Sequence, residues 1–116
     1  MDEYSIAGDY ARHIRALAII ESGENPLASG DGGRAIGILQ QHPSFFVQWY
    51  KEPDVTDTWN TAHIKAAAAF FEHYVPQYGI DLTVQAYNQG AAAVFQNGVR
   101  APQYLARFTT ALGVNA

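Results

Sequence analysis

The chain contains no cysteine. A disulfide framework, a thiolate zinc site and a cysteine nucleophile are therefore excluded. Charge is also scarce. Only 16% of the 116 residues are charged, and the seven Lys and Arg are scattered, with no basic run. With a net charge of −4, this disfavours binding to nucleic-acid phosphate or to an anionic membrane surface. No stretch of about 18 apolar residues occurs, so no transmembrane helix and no membrane insertion are expected. The opening Met1-Asp2-Glu3-Tyr4 is acidic, whereas a secretory signal has a basic start followed by an apolar run. Export by another route, or after removal of a segment, is the expectation. The four histidines, His13, His42, His63 and His73, lack metal-ligand spacing, so no metal is expected. A nucleophile elbow, a P-loop and a dinucleotide fingerprint are all missing.

What is present suits one compact core. The length is near the commonest for a single domain, and 48% of residues are apolar. Folding at this size removes roughly two-thirds of the unfolded chain's surface from water. The expectation is one domain over residues 1–116. Helical spacing of Ile6, Tyr10, Ile14, Leu17, Ala18 and Glu21 predicts a helix over 4–21, capped by Asp2 or Ser5 and ended by Gly23. The Gly-rich segment 24–34 reads as loop, and 35–40 as a small β ribbon or a buried turn. Pro43 opens a helix to Tyr50. Asp57 or Thr58 caps a long helix from Trp59 to about Tyr78, with Trp59, His63, Ala67, Phe70, Tyr74 and Tyr78 as its buried stripe. Pro76 should kink or shorten its end. Asp81 caps a helix through Asn88. Pro102 opens a last helix to about Leu112, closed by Gly113. The fold class is mainly α, with a short loop or ribbon region.

Glu21 stands out. Positions 14, 17, 18 and 21 share one helix face, and three of them are apolar. A carboxyl group on such a face, at a helix end against a Gly-rich loop, is partly buried. Burial disfavours its charged form and raises its pKa. A carboxylic acid still protonated near pH 6 to 7 is a general acid, which cleavage of a glycosidic bond requires. From the face alone, Glu21 could instead turn to solvent or pair with Arg15 or Arg34.

Four motifs occur in order. The first is Glu21-Ser22, followed by Asn25-Pro26 and Ala28-Ser29. The second is Ala35-Ile36-Gly37-Ile38-Leu39-Gln40, with Pro43 beyond. The third is Ala86-Tyr87-Asn88-Gln89-Gly90, with Val94 four residues on. The fourth is Tyr104 on the last helix. Together, across residues 20 to 104, they resemble the soluble lytic transglycosylases of the lysozyme-like superfamily. Ile38 and Leu39 stand where that family usually has Leu-Met, as a change in a groove wall. The loop 30–34 is slightly longer and richer in Gly than usual, and Arg34 replaces a frequent Gly.

The resemblance implies a lysozyme-like fold and cleavage of peptidoglycan glycan strands without cofactor or metal. Glu21 is implied as the acid that protonates the oxygen between N-acetylmuramic acid and N-acetylglucosamine. It would then act as the base for the sugar's own C6 hydroxyl, giving a 1,6-anhydro product. Ser22 would orient the acid or the acetamido group, and otherwise reads as a polar residue ending a helix. Gly37 would allow close approach of a sugar, Leu39 would line the groove, and Gln40 would bond a sugar amide. Tyr87 and Asn88 would hold the groove near Glu21, and the Tyr104 hydroxyl would contact Glu21. Asp31 reads as a turn residue, or as a second carboxylate that would make the enzyme a hydrolytic muramidase. A reading from another class is a non-catalytic glycan-binding or structural virion module. Action at the bacterial cell wall fits a bacteriophage endolysin or virion-associated enzyme working with lysis machinery. It equally fits a domain cut from a secreted bacterial parent.

Overall fold

The computed structural model describes residues 2–114, the side chain of Val114 excepted. The chain opens with a 3₁₀ helix, Glu3–Tyr10, capped by Asp2, whose carboxylate accepts the Tyr4 N–H at 3.0 Å. Gly8 then takes φ 58° and ψ −124°, and helix α1 runs from Ala11 to Ser22. The continuous helix expected from Tyr4 is thus two pieces. Ile6, placed on the buried face by counting 3.6 residues per turn, is 46% exposed, while Tyr4 and Ala7 are buried. The tighter 3₁₀ turn and the left-handed glycine break the register that the counting assumed.

Gly23 ends α1 in the left-handed conformation, its N–H bonding the Ile19 carbonyl at 3.0 Å. Strands β1 (Ser29–Gly30) and β2 (Ala35–Ile36) pair antiparallel, Ser29 with Ile36 and Gly30 with Ala35. A further bridge joins Ile36 to Gln41, so residues 37–40 form a closed turn. Helix α2 is Pro43–Trp49, and α3 is Trp59–Tyr78, with Thr58 accepting the Thr61 N–H at 3.1 Å as its cap. Helix α4 is Ile80–Gln89. A π-helical turn, Ala92–Gln96, leads toward α5, Pro102–Val114.

Several expected boundaries move. Helix α3 runs through Pro76, two residues before its end, where the missing N–H removes a single helical bond. Asp81 lies in the first turn of α4, but Gly79 occupies the cap position. Gly113 lies within α5 rather than closing it. Trp59 and Tyr78 are the end residues of α3, where neighbouring elements no longer cover the stripe, and both are exposed.

Helix α1 packs against α5, the 3₁₀ helix and α3, and α3 in turn packs on α2 and α4. Ile14, Leu17, Ile38, Leu39, Ile64, Phe71, Val84 and Phe108 fill the core between them. Burying each such side chain contributes about 1.5–3 kcal/mol. The packing of α1 on α5 brings residues 83 positions apart into contact at one end of the core. Among the described residues, no helix is long and apolar enough to cross a membrane.

Candidate active site

Glu21 is the last residue but one of α1, on the face that buries Ile14, Leu17 and Ala18. Its side chain meets Tyr104, in the first turn of α5. The Tyr104 hydroxyl donates to Glu21 Oε2 at 2.7 Å. Tyr104 is 5% exposed. Burial raises the pKa of Glu21 above the usual carboxylate range. The Tyr104 hydrogen bond and the more distant charge of Arg107 oppose that rise without cancelling it. Burial also pushes the Tyr104 hydroxyl far up, helped by the Glu21 charge, so it remains a donor at any working pH. Arg15 and Arg34 do not pair with Glu21. Arg15 holds Glu24 at 3.3 Å, and Arg34 lies 3.6 Å from Asp31.

The turn over 37–40 is fastened from two sides. Ser22 Oγ donates to the Ile38 carbonyl at 2.7 Å and accepts the Asn25 N–H at 3.1 Å. Tyr87 Oη, from α4, donates to the next carbonyl, Leu39, at 2.8 Å. Burial raises the pKa of Tyr87, and the charge of Glu21 raises it further. Two adjacent carbonyls are thus held by hydroxyls from two helices, α1, which carries Glu21, and α4.

Other residues take different places from those expected. The Leu39 side chain is 0% exposed and Ile38 is equally buried, so both belong to the core and not to a groove wall. They lie within the turn over 37–40, where Gln40 alone is not buried. Gly37 has φ 81°, and a Cβ there would lie 3.3 Å from Trp59 Nε1. Its backbone conformation and the packing of Trp59 and His63 account for the glycine. Gln40, itself left-handed at φ 47°, uses its amide N–H on the Gly37 carbonyl at 3.0 Å. Its Oε1 lies against Gly30, where a Cβ would approach to 2.6 Å. Glu24, Asp31 and Gln40 are the non-glycine residues with positive φ among the described residues, and all lie in this one segment. Such strain gathers at functional sites.

Asp31 is exposed, and its carboxylate has contacts of its own. His42 Nε2 stands 3.1 Å from Asp31 Oδ2, and Arg34 is beside Oδ1. Asn88 is exposed at the end of α4, where it accepts from the Gln89 amide. It lines a concavity with Tyr104 and Arg107. Among the described residues, no cluster of three His, Asp or Glu side chains could hold a metal ion.

Residues 5–106 match the family model of the transglycosylase SLT domain. The chain belongs to the transglycosylase SLT family. No curated protein and no solved structure gives a match. The match runs from the first 3₁₀ turn to beyond Tyr104 and so takes in both sides of the Glu21–Tyr104 pair. The fold is accordingly the mainly helical, lysozyme-like one, and the domain is a peptidoglycan-cleaving type that acts on the cell wall.

Arg107 escaped the sequence reading. Its signal was present, since it lies three residues after Tyr104 on a helix and therefore on the same face. Trp59 was assigned to the core, although an aromatic residue at a helix start is easily left in solvent.

Proposed function

We propose that this SLT domain, acting as one catalytic unit, cleaves the β-1,4 bond between N-acetylmuramic acid and N-acetylglucosamine, with Glu21 as the acid and then the base. The observation that carries the proposal is the Glu21–Tyr104 pair: a carboxyl group raised in pKa by burial, whose hydrogen-bond partner is a neutral hydroxyl. Glu21 protonates the glycosidic oxygen as the bond to the anomeric carbon breaks. The muramic acid's C6 hydroxyl attacks that carbon and gives its proton to the Glu21 carboxylate. The new C6–O–C1 bond closes a 1,6-anhydro ring, Glu21 is protonated again, and no water is consumed. This route needs no second enzyme carboxylate, which agrees with the pairing of Asp31 to His42 and Arg34.

The turn fastened by Ser22 and Tyr87 supplies a rigid floor beside Glu21, as a pre-organised site requires. The test is mass spectrometry of soluble fragments released from purified peptidoglycan, with Glu21→Gln as control. Fragments one water lighter than hydrolysis products, absent from the control, are expected. Reducing ends, lost in Asp31→Asn, would replace the proposal with a muramidase. Equal release by both Glu21 forms would remove Glu21 from the chemistry.

A further inference from the structure

Helix α5 begins without a local side-chain cap. Its first backbone bond runs from the Leu105 N–H to the Ala101 carbonyl at 3.0 Å. Ala101 therefore occupies the position where Ser, Thr, Asn or Asp usually supplies a capping oxygen. Alanine has none, and Pro102, the first helical residue, has no N–H. The anchor comes from α4 instead. Gln85 Oε1 accepts the Ala101 N–H at 2.8 Å. Gln85 Nε2 donates to the Asp81 carbonyl, one turn back on α4, at 3.1 Å. Ala101 is thus held at both its N–H and its carbonyl.

Glutamine is mostly a surface residue, yet Gln85 is 5% exposed, between the buried Val84 and Ala86. A buried amide is tolerated when its polar ends are bonded, and here both are. Gln85 immediately precedes the Ala86-Tyr87-Asn88-Gln89-Gly90 motif. One helix therefore reaches to both sides of the site. Tyr87 fastens the 37–40 turn, and Gln85 fastens the start of α5. Tyr104 follows Ala101 by three residues, and its hydroxyl meets Glu21 at 2.7 Å. Such a bond weakens steeply as its distance and angle depart from the optimum. The placement of the first turn of α5 thus decides whether the hydroxyl reaches Glu21.

We infer that Gln85 is a positioning residue for the cleavage reaction: by holding the Ala101 N–H it sets the first turn of α5 and so aims the Tyr104 hydroxyl at Glu21. The inference rests on the reading of Glu21 as the acid. Gln85 carries no charge and acts on Glu21 only through Tyr104. The groups that bear on Glu21 directly are Tyr104 and Arg107 from α5, and Tyr87 on α4 senses its charge. The Tyr104 bond favours the Glu21 carboxylate. Loosening the start of α5 weakens that bond, and Glu21 then keeps its proton to higher pH.

The experiment follows the Glu21 carboxyl by NMR titration and glycan-strand cleavage by steady-state kinetics across a pH series. Both are measured for the wild-type chain, Gln85→Met, Tyr104→Phe and the double variant. Methionine keeps the bulk of glutamine but offers only a weak sulfur acceptor. Gln85→Met should raise the Glu21 pKa in the same direction as Tyr104→Phe, and the alkaline limb of kcat should move with it. At the optimum kcat should fall about fivefold, the scale of one hydrogen bond, with KM unchanged. In the Tyr104→Phe background, Gln85→Met should change neither the titration nor kcat further. In the wild-type chain the Ala101 amide should exchange its hydrogen more slowly than those of the exposed Arg100 and Gln103. Equally fast exchange would overturn the inference without recourse to any variant. An unmoved Glu21 titration in a folded Gln85→Met chain would also overturn it and leave the Glu21 reading standing. So would an equal loss of kcat with and without the Tyr104 hydroxyl. A wild-type chain that cleaves no strands would overturn the Glu21 reading and this inference with it.

Discussion

Two tyrosine–carboxylate pairs in this molecule look alike and behave in opposite ways. At the active end, Tyr104 donates to Glu21 at 2.7 Å. At the corner between α2 and α3, Tyr50 donates to Asp57 at 2.6 Å. The pKa of Glu21 is raised, and that of Asp57 is lowered. The difference is the cation. Lys65 stands 2.8 Å from Asp57, and the Asp54 N–H adds a bond at 3.0 Å. Arg107 acts on Glu21 only from a distance, and burial outweighs it. A tyrosine hydroxyl alone therefore does not offset the effect of burying a carboxylate. On the proposed reading one pair exchanges a proton, while the other fastens a loop.

The largest effect that separates the pairs is on catalysis. Glu21→Gln should lower glycan-strand cleavage by about 10²–10⁴-fold, the usual contribution of general acid–base catalysis. Asp57→Asn should leave the reaction's pH profile in place. Wild-type activity should fall on the alkaline side as Glu21 loses its proton. A flat profile from about pH 5 to 9 would count against the acid role. Tyr104→Phe comes next. Without the hydroxyl that favours its charged form, Glu21 should hold its proton to higher pH, so the alkaline limb should move up. Activity near the optimum should drop about tenfold, through loss of a hydrogen bond that strengthens as charge develops. An unmoved limb would show that the bond is only structural. The converse change can turn the fastening pair toward the catalytic one. Lys65→Met should raise the Asp57 pKa, as followed by side-chain NMR titration, because Lys65 is the main reason it is low.

These contrasts were only partly legible in the sequence. The face shared by Ile14, Leu17, Ala18 and Glu21 was readable because α1 is a regular helix beyond Ala11. The pairing with Tyr104 was implied by family resemblance, since no spacing rule connects residues 83 apart. The 37–40 turn shows the limit most clearly. Its motif was visible, but which atoms face outward was not. A closed turn directs successive residues by its φ values, here 81° at Gly37 and 47° at Gln40, and not by a period. Leu39 therefore went to the core while its carbonyl met Tyr87. Ile6 was misplaced for a related reason, because Gly8 interrupts the helical count.

Stability should separate the pairs again, with opposite signs. Asp57 has a depressed pKa in the folded state, so its contribution is present above the unfolded value and lost as pH falls through the folded one. Asp57→Asn should lower the Tm at neutral pH, with the deficit shrinking in acid. Glu21 has a raised pKa, so its contribution is present below the unfolded value and lost as pH rises through the folded one. Glu21→Gln should therefore raise the Tm at alkaline pH and lose that advantage in acid. Tm series for both variants from acid to alkaline pH check this. A Glu21→Gln variant less stable than wild type at high pH would mean that the buried carboxylate is well compensated, contrary to the comparison.

The smallest effects concern the hydroxyls that support the active end. Ser22→Ala and Tyr87→Phe should each cost about 1 kcal/mol in denaturant unfolding, since each leaves a carbonyl of the 37–40 turn without its donor. The informative quantity is their sum. Ile38 and Leu39 are consecutive, and both side chains are locked in the core, so the turn can loosen only as a unit. Once one hydroxyl is gone, the second holds a turn that has already relaxed. The double variant should then cost less than the two singles added, by about 0.5 kcal/mol or more, as for neighbours sharing one backbone shift. Strict additivity would mean that the carbonyls are held independently. The turn would then lack the rigidity that sets the floor beside Glu21 apart from the Asp57 loop.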